Sequence, residues 1–536
     1  MANSFNREQF LDLIIYQIYP RSFLDTNGDG IGDLQGIVRK LDYLQSLGIN
    51  AIWLCPCYKS PNKDNGYDIE DYLDISKDYG DFNDWLVLKN AMRERGMKLI
   101  MDFVANHTSD KHFWFQQAKQ SRDNPYHDYY IWAEKPLNTW RSTFGGSAWE
   151  YNAETDEYYL HSFAVEQPDL NWENPKVREE MRKVIDFWVK QGVDGFRCDV
   201  LDFISKDFET GKKYDGKHLH EYLQELFGRK EIAHIFTVGE CQAGEESIGL
   251  LCGKERKELT TAFQFEHVNQ LCDDKFLPCA FDLNVFRDTL VKWQYFSAKN
   301  ELLYTLFTDN HDRPFLLSLV NADKALRYES ATMLATLVYL LKGIPFIYQG
   351  QEFGSKNSYF DSIDDFNDVE TRNYYNENKQ KTDEKTLIKR INFASRDNPR
   401  RPMAWSGDRA QNFGFTTGKA WLTLSTNGEE INLEKDRTSE KSIFFFYQKL
   451  LALRKDYDVV RYGEFTDLTT EKNSFIYKRT LKGETIFIVC NFEKAQTLPL
   501  PFQNATFLLN NYKSRETDEY NERFQPFEIA VYLETK

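Results

Sequence analysis

Four apolar, strand-like stretches of this chain run into acids: Met101-Asp102-Phe103-Val104-Ala105-Asn106-His107, Gly195-Phe196-Arg197-Cys198-Asp199-Val200, Val238-Gly239-Glu240 and Thr308-Asp309-Asn310-His311-Asp312. Side chains two apart on a strand share a face. Arg197 therefore lies beside Asp199, and its guanidinium favours the ionised carboxylate. A short, arginine-braced acid suits a nucleophile. Glu240 reaches further and has no cation beside it in sequence; a desolvated site raises such a carboxyl so that it starts as a proton donor. Asp312 adds a third charge against an oxocarbenium-like transition state, and His107 and His311 offer hydrogen bonds to hydroxyls. Cleaving a glycosidic bond takes an acid at the leaving oxygen and a carboxylate at the anomeric carbon. Singly, each group has a bland reading as a structural ion pair, a core histidine or a surface acid. Four matched strand ends at once favour one shared site.

To meet, those ends must lie on one rim. The carboxyl end of an apolar strand is where a (β/α)8 barrel keeps its chemistry, and strand-like and helical runs alternate as that fold requires. Strands are expected over residues 13–19, 51–54, 98–103, 195–200, 236–239, 262–265, 302–308 and 345–348. Helices are expected over 34–47, ended by Gly48, over 85–95, stopped by Gly96, and over 175–191, opened by Asn174-Pro175 and stopped by Gly192. Between 106 and 172 the helical period disappears for longer than an ordinary loop lasts. That reads as a small inserted domain. Residues 350–439, charged and rich in Asn, read as a second excursion near the barrel mouth, and short hairpin-like strands follow from about 459. The expectation is an α/β TIM barrel from 1–105 and 173–458, an inserted domain at 106–172, and a C-terminal antiparallel β-sandwich at 459–536.

The chain has 536 residues, 41% of them hydrophobic and 15% aromatic, ample for a large core, and a net charge of −16. That charge argues against nucleic acid or an anionic membrane as partner, since both favour a basic patch. No apolar run approaches the ~20 residues of a membrane span, and the first nine residues show no signal-peptide pattern. The eight cysteines form no zinc-like pairs with histidines, so reduced thiols in a cytoplasmic protein are expected; a monomer is expected as the default state.

These motifs resemble the α-amylase family of glycoside hydrolases (family 13), whose four main regions match residues 102–107, 195–200, 238–240 and 310–312. A fifth region is similar to Gln167-Pro168-Asp169-Leu170-Asn171-Trp172. Tyr16-Gln17-Ile18-Tyr19-Pro20, Asp64-Asn65-Gly66-Tyr67-Asp68-Ile69, the stretch Gly343 to Gly350 and Ser395-Arg396-Asp397-Asn398 are similar to oligo-1,6-glucosidases and dextran glucosidases. The resemblance implies Asp199 as nucleophile, Glu240 as acid/base and Asp312 as transition-state stabiliser. It implies that Asp64, Tyr67, His107, Phe144, Arg197, His311 and Arg396 hold the non-reducing glucose, and that Glu370 and Lys275 contact the second sugar. Valine after the nucleophile goes with α-1,6 bonds in this family, alanine or threonine with α-1,4 bonds; here it is Val200.

The implied activity is a retaining, exo-acting α-glucosidase releasing glucose from short α-1,6-linked sugars. An α-1,4-glucosidase or a sucrose hydrolase or isomerase on the same scaffold is the alternative. A phosphotrehalase is disfavoured, as no basic cluster for a sugar phosphate is apparent. A non-catalytic amylase-like subunit is disfavoured because the acids are intact. Cys241, Phe315 and Pro399 depart from the family pattern near the aglycone side.

Asp25-Thr26-Asn27-Gly28-Asp29-Gly30-Ile31-Gly32-Asp33 spaces oxygens like an EF-hand loop but has Gly36 where the closing bidentate acid belongs. A tight acidic turn is the competing reading. By resemblance it is a structural Ca2+ site held by Asp25, Asn27, Asp29, Asp33 and the carbonyl of Ile31; no cofactor is implied for catalysis.

Overall fold

Eight parallel strands form the centre of the computed structural model, which describes residues 7–253, 258–269, 275–278, 280–321 and 324–535. They are β1 (Ile15–Ile18), β2 (Ala51–Leu54), β3 (Lys98–Val104), β4 (Gly195–Asp199), β5 (Phe236–Glu240), β6 (Thr261–Phe263), β7 (Thr305–Leu306) and β8 (Ile344–Tyr348). Their hydrogen-bonded order is β6-β5-β4-β3-β2-β1-β8-β7. At the seam between β6 and β7 two threonines make the link: Thr261 Oγ1 donates to the Leu303 carbonyl at 2.6 Å and Thr305 Oγ1 to the Ala262 carbonyl at 3.3 Å. The seventh strand is shorter than its apolar run suggested, because only Thr305 and Leu306 enter a ladder.

Alternation along each strand decides what the barrel encloses. Ile15, Ala51, Trp53, Ile100, Phe236, Val238, Phe263 and Phe346 pack together as one cluster. Their neighbours Tyr16, Ile52, Leu54, Leu99, Met101 and Cys198 join the larger cluster shared with the helices. Gln17, Asp102, Arg197 and Asp199 continue the inward-facing series at the carboxyl ends and are buried. Polar groups thus sit on an apolar plug.

One long helix was expected from 34 to 47. Two are found, Leu34–Arg39 and Leu41–Leu47, with Lys40 at φ −107° between them and its ammonium 3.9 Å from the centre of the Trp405 ring. Residues 106–172 contain a three-stranded antiparallel sheet, and His107 and Tyr130 bridge to Asp169 and Leu170. Helices Val369–Asn378 and Glu384–Ala394 stand within the second excursion. Near the C-terminus β9 (Glu464–Asp467), β10 (Ser474–Leu481), β11 (Glu484–Asn491), β12 (Thr506–Asn510) and β13 (Ile529–Thr535) form an antiparallel sheet in the order β9-β10-β11-β13-β12. Cys55, Cys57, Cys198, Cys241, Cys252 and Cys490 are buried free thiols; Cys272 and Cys279 lie outside the described residues. No helix among the described residues is long and apolar enough to cross a membrane.

Candidate active site

Register brings the acids together. Asp102 on β3 pairs with Arg197 on β4, and Arg197 pairs with Val238 on β5, so Glu240 lies two residues beyond on the same face. The Arg197 guanidinium, its side chain 3% exposed, meets three carboxylates: Nη1 donates to Asp102 Oδ1 at 2.7 Å and to Asp199 Oδ1 at 2.6 Å, while Nη2 donates to Glu240 Oε2. Asp102 also accepts from Trp53 Nε1 at 2.7 Å.

This extends one expectation and corrects another. Glu240 does have a cation beside it, supplied by the neighbouring strand. Asp199 does not have Arg197 to itself: burial, followed by the charges of Glu240 and Asp102, lifts its carboxyl well above the usual range despite the guanidinium. Burial raises Asp102 as well. One cation shared among three carboxylates does not offset the burial of Asp199 and Asp102.

His311 closes the next layer. Gln17 Nε2 donates to its Nδ1 at 2.7 Å, which puts the ring proton on Nε2, 3.0 Å from Asp312 Oδ2 and 2.7 Å from the Tyr67 hydroxyl. The Tyr67 and His311 rings stack at 5.3 Å and 8°. Asp312 is half-buried, and the desolvation would raise it, yet His311, Arg400 and Arg396 together hold it well below the carboxylate range. Arg400 Nη2 lies 2.5 Å from Asp312 Oδ1 and Arg396 Nη1 3.4 Å from it.

The far wall is built on Arg396. Its Nη2 lies 3.1 Å from Asp64 and 2.6 Å from Asp368, its Nε lies 3.4 Å from Glu370, and the guanidinium stacks 4.4 Å from the centre of Phe144. Asp64 accepts from Gln167 Nε2 at 3.1 Å, and that nitrogen is 3.1 Å from His107 Nε2. Burial drives His107 down to about 4, so it is a neutral hydrogen-bonding ring at pH 7. Lys275 Nζ sits 2.6 Å from Glu370.

A cavity of about 560 Å³ is lined by Asp64, Tyr67, His107, Phe144, Asp199, Val200, Glu240, Lys275, Asp312, Glu370 and Arg396. Arg197 and His311 stand directly behind it. Val200 adopts φ +34°, ψ +48° where the chain leaves β4, a region a β-branched residue seldom enters, and packs with Phe144, Phe163 and Phe203. Sequence reasoning missed Arg400, Asp368, Gln167 and Gln17. Arg400 lies one helical turn after Arg396, and Asp368 caps the helix that carries Glu370; those spacings were the available signals.

In the Asp25–Asp33 loop, Asp25 accepts from the backbone of Asn27, Gly28 and Gly30, and Asp29 from that of Ile31. Asp33 accepts from Thr26 and Gly36. Among the described residues no three acids, histidines or cysteines converge as a metal cluster. An ion here would therefore depend on the Asn27 amide oxygen and the Ile31 carbonyl as much as on carboxylates.

Comparison with known proteins places these residues in context. Residues 17–463 match the family model for the alpha amylase catalytic domain. The chain is 43% identical over 555 residues to an oligo-1,6-glucosidase of Parageobacillus thermoglucosidasius, covering 97% of this chain and 98% of the relative. It is 44% identical over 553 residues to an oligo-1,6-glucosidase of Halalkalibacterium halodurans, with the same coverage. The crystal structure of a trehalose-6-phosphate hydrolase from Bacillus licheniformis superposes with a TM-score of 0.92 at 37% identity, covering 98% of this chain and 100% of that one.

Proposed function

This chain belongs to the α-amylase family of glycoside hydrolases, and from that premise we propose that it is a retaining, exo-acting α-glucosidase of short α-1,6-linked gluco-oligosaccharides. The observation that carries the reading is the single guanidinium of Arg197 holding Asp199 and Glu240 on adjacent nitrogens. Two carboxyls so held support the spacing of about 5–5.5 Å used by retaining enzymes, against about 6.5–9.5 Å when a water must fit between them.

Asp199 attacks the anomeric carbon while Glu240 gives its proton to the leaving oxygen. The glucosyl-enzyme ester is then opened by water, with Glu240 taking the proton back. Asp312, anchored by Arg400, faces the developing positive charge. Asp64, Arg396, His107, Tyr67 and the ring of Phe144 form the blind end that accepts one terminal glucose, which supports exo action. Val200 narrows the leaving-group side and supports α-1,6 over α-1,4 bonds; a volume difference of that kind is worth ~1–3 kcal/mol.

The Asp25–Asp33 loop is proposed as a structural Ca2+ site, supported by its oxygen spacing and by the tight curl through Gly28 and Gly30, at φ +85° and +92°. It would stabilise the fold and take no part in the reaction; the test is a rise in melting temperature with Ca2+ that EDTA reverses. A cytoplasmic monomer remains the proposed setting.

The functional test is side-by-side hydrolysis of isomaltose, isomaltotriose, panose, maltose and sucrose, with NMR detection of the first anomer released. Glucose released as the α anomer from the α-1,6 substrates is expected, and its loss in Asp199→Asn. Cleavage of maltose with isomaltose untouched would overturn the linkage; release of the β anomer would overturn the retaining mechanism.

A further inference from the structure

Among the charged side chains that line the cavity, all but one face an opposite charge. Asp64 is paired with Arg396, Glu370 with Lys275, Asp312 with Arg400, and Asp199 and Glu240 share Arg197. Arg313 is the exception: among the described residues its guanidinium has no hydrogen bond or ion pair and lies over the ring of Phe265, 5.1 Å from the centroid. Val268, Phe281, Pro314 and Leu319 line the same cavity. Arg313 is half-buried, and burial lowers its pKa to about 10, so it stays charged at neutral pH.

Position tells which sugar it would meet. Arg313 follows Asp312 on the rim after β7 and feels the charges of Asp312, Glu240 and Glu370, whereas the glucose-gripping pair Asp64–Arg396 stands at the blind end. It therefore faces the leaving group. A guanidinium offers its N–H donors as a rigid fork that fits a carboxylate or phosphate, and a charged donor partly withdrawn from water against an apolar wall gains most from an anionic acceptor. Repulsion from the neighbouring acids is muted, because Asp312 is paired with Arg400, Glu370 with Lys275 and Arg396, and Glu240 shares Arg197.

We propose that Arg313 selects leaving groups bearing an anion, so that α-glucosides whose second unit carries a carboxylate or phosphate are preferred to neutral disaccharides. This rests on the α-glucosidase reading and names its substrate class.

The test compares kcat/KM at low salt for three α-1,6 substrates: isomaltose, isomaltobionate (its reducing end oxidised to a carboxylate) and isomaltose 1-phosphate. Each is measured with wild type, Arg313→Gln and Arg313→Lys, all checked by thermal melting. Wild type is expected to favour at least one anionic substrate by about tenfold, through KM, the order by which a charge-assisted hydrogen bond exceeds a neutral one. The preference should shrink with added salt, fall to near unity in Arg313→Gln and survive in part in Arg313→Lys. The two anionic substrates tell carboxylate from phosphate. Turnover of isomaltose with no anion preference, or a preference that persists in Arg313→Gln, overturns this inference alone. No turnover of any of the three by wild type overturns the glucosidase reading together with it.

Discussion

Arg400 binds both faces of one corner of the candidate site: its Nη2 lies 2.5 Å from Asp312 Oδ1 and its Nε donates to the His311 carbonyl at 2.9 Å. It is fully buried, so its charge is spent inside the protein rather than on solvent. In the proposed reaction Arg400 is a positioning residue, acting on the transition state through Asp312. Arg400→Lys cannot reproduce the fork and is expected to lower kcat by about 10- to 100-fold, the range of one lost charge-assisted hydrogen bond, with a smaller change in KM. Steady-state kinetics on isomaltose checks this. An unchanged kcat with a raised KM would assign Arg400 to substrate binding.

The shared guanidinium predicts a pH signature. In the proposed reaction Asp199 acts as its anion, and its carboxyl is raised by burial and by the charges of Glu240 and Asp102. Raising the pKa of a group that must be ionised moves the loss of activity to higher pH. The acid limb of kcat/KM, which reports the free enzyme, is therefore expected above the ordinary aspartate range. Asp102→Asn removes one of the charges that raise Asp199 and should shift that limb to lower pH. A limb that stays put or rises in the variant would contradict the sharing.

Glu352 gives a stability prediction away from the chemistry. It is buried beneath the hydroxyls of Tyr16 at 2.7 Å and Tyr43 at 2.5 Å, and burial pushes its carboxyl up to about 7. A raised carboxyl binds its proton more tightly in the folded state, so its contribution is full below the unfolded value of 4.5 and is lost as pH rises through about 7. Glu352→Gln keeps an oxygen for both tyrosines and is expected to raise the melting temperature at pH 8, by at most ~3 kcal/mol of stability, and to change little at pH 4.5. Melting curves at both pH values measure the difference.

In the proposed reading Val200 links backbone and specificity. Its left-handed conformation fixes the side chain against Phe144 and Phe163 at the cavity wall. Val200→Ala opens that space, and the ratio of kcat/KM for maltose over isomaltose is expected to rise by up to ~100-fold. An unchanged ratio would remove Val200 as the determinant of linkage.

Local sequence fixes much of this protein. Period-two alternation placed Arg197 and Asp199 on one face, apolar runs ended in acids where strands end, and Gly48 and Gly192 stopped helices with left-handed backbone. Those are short-range matters of sterics and hydration, legible in a few residues at a time. Resemblance of motifs then supplied the wall residues, which alternation alone did not reach. Tertiary structure alone decided who partners whom. Glu240 meets Arg197 across 43 residues and Asp312 meets Arg400 across 88, because parallel register and the 350–439 excursion carry those side chains to the same point. It also decided that Arg313, beside three acids in the field of the cavity, keeps no partner of its own among the described residues. Electrostatics in a buried site depends on every charge within a few ångströms, and sequence spacing holds only the part of that distance set by neighbouring residues.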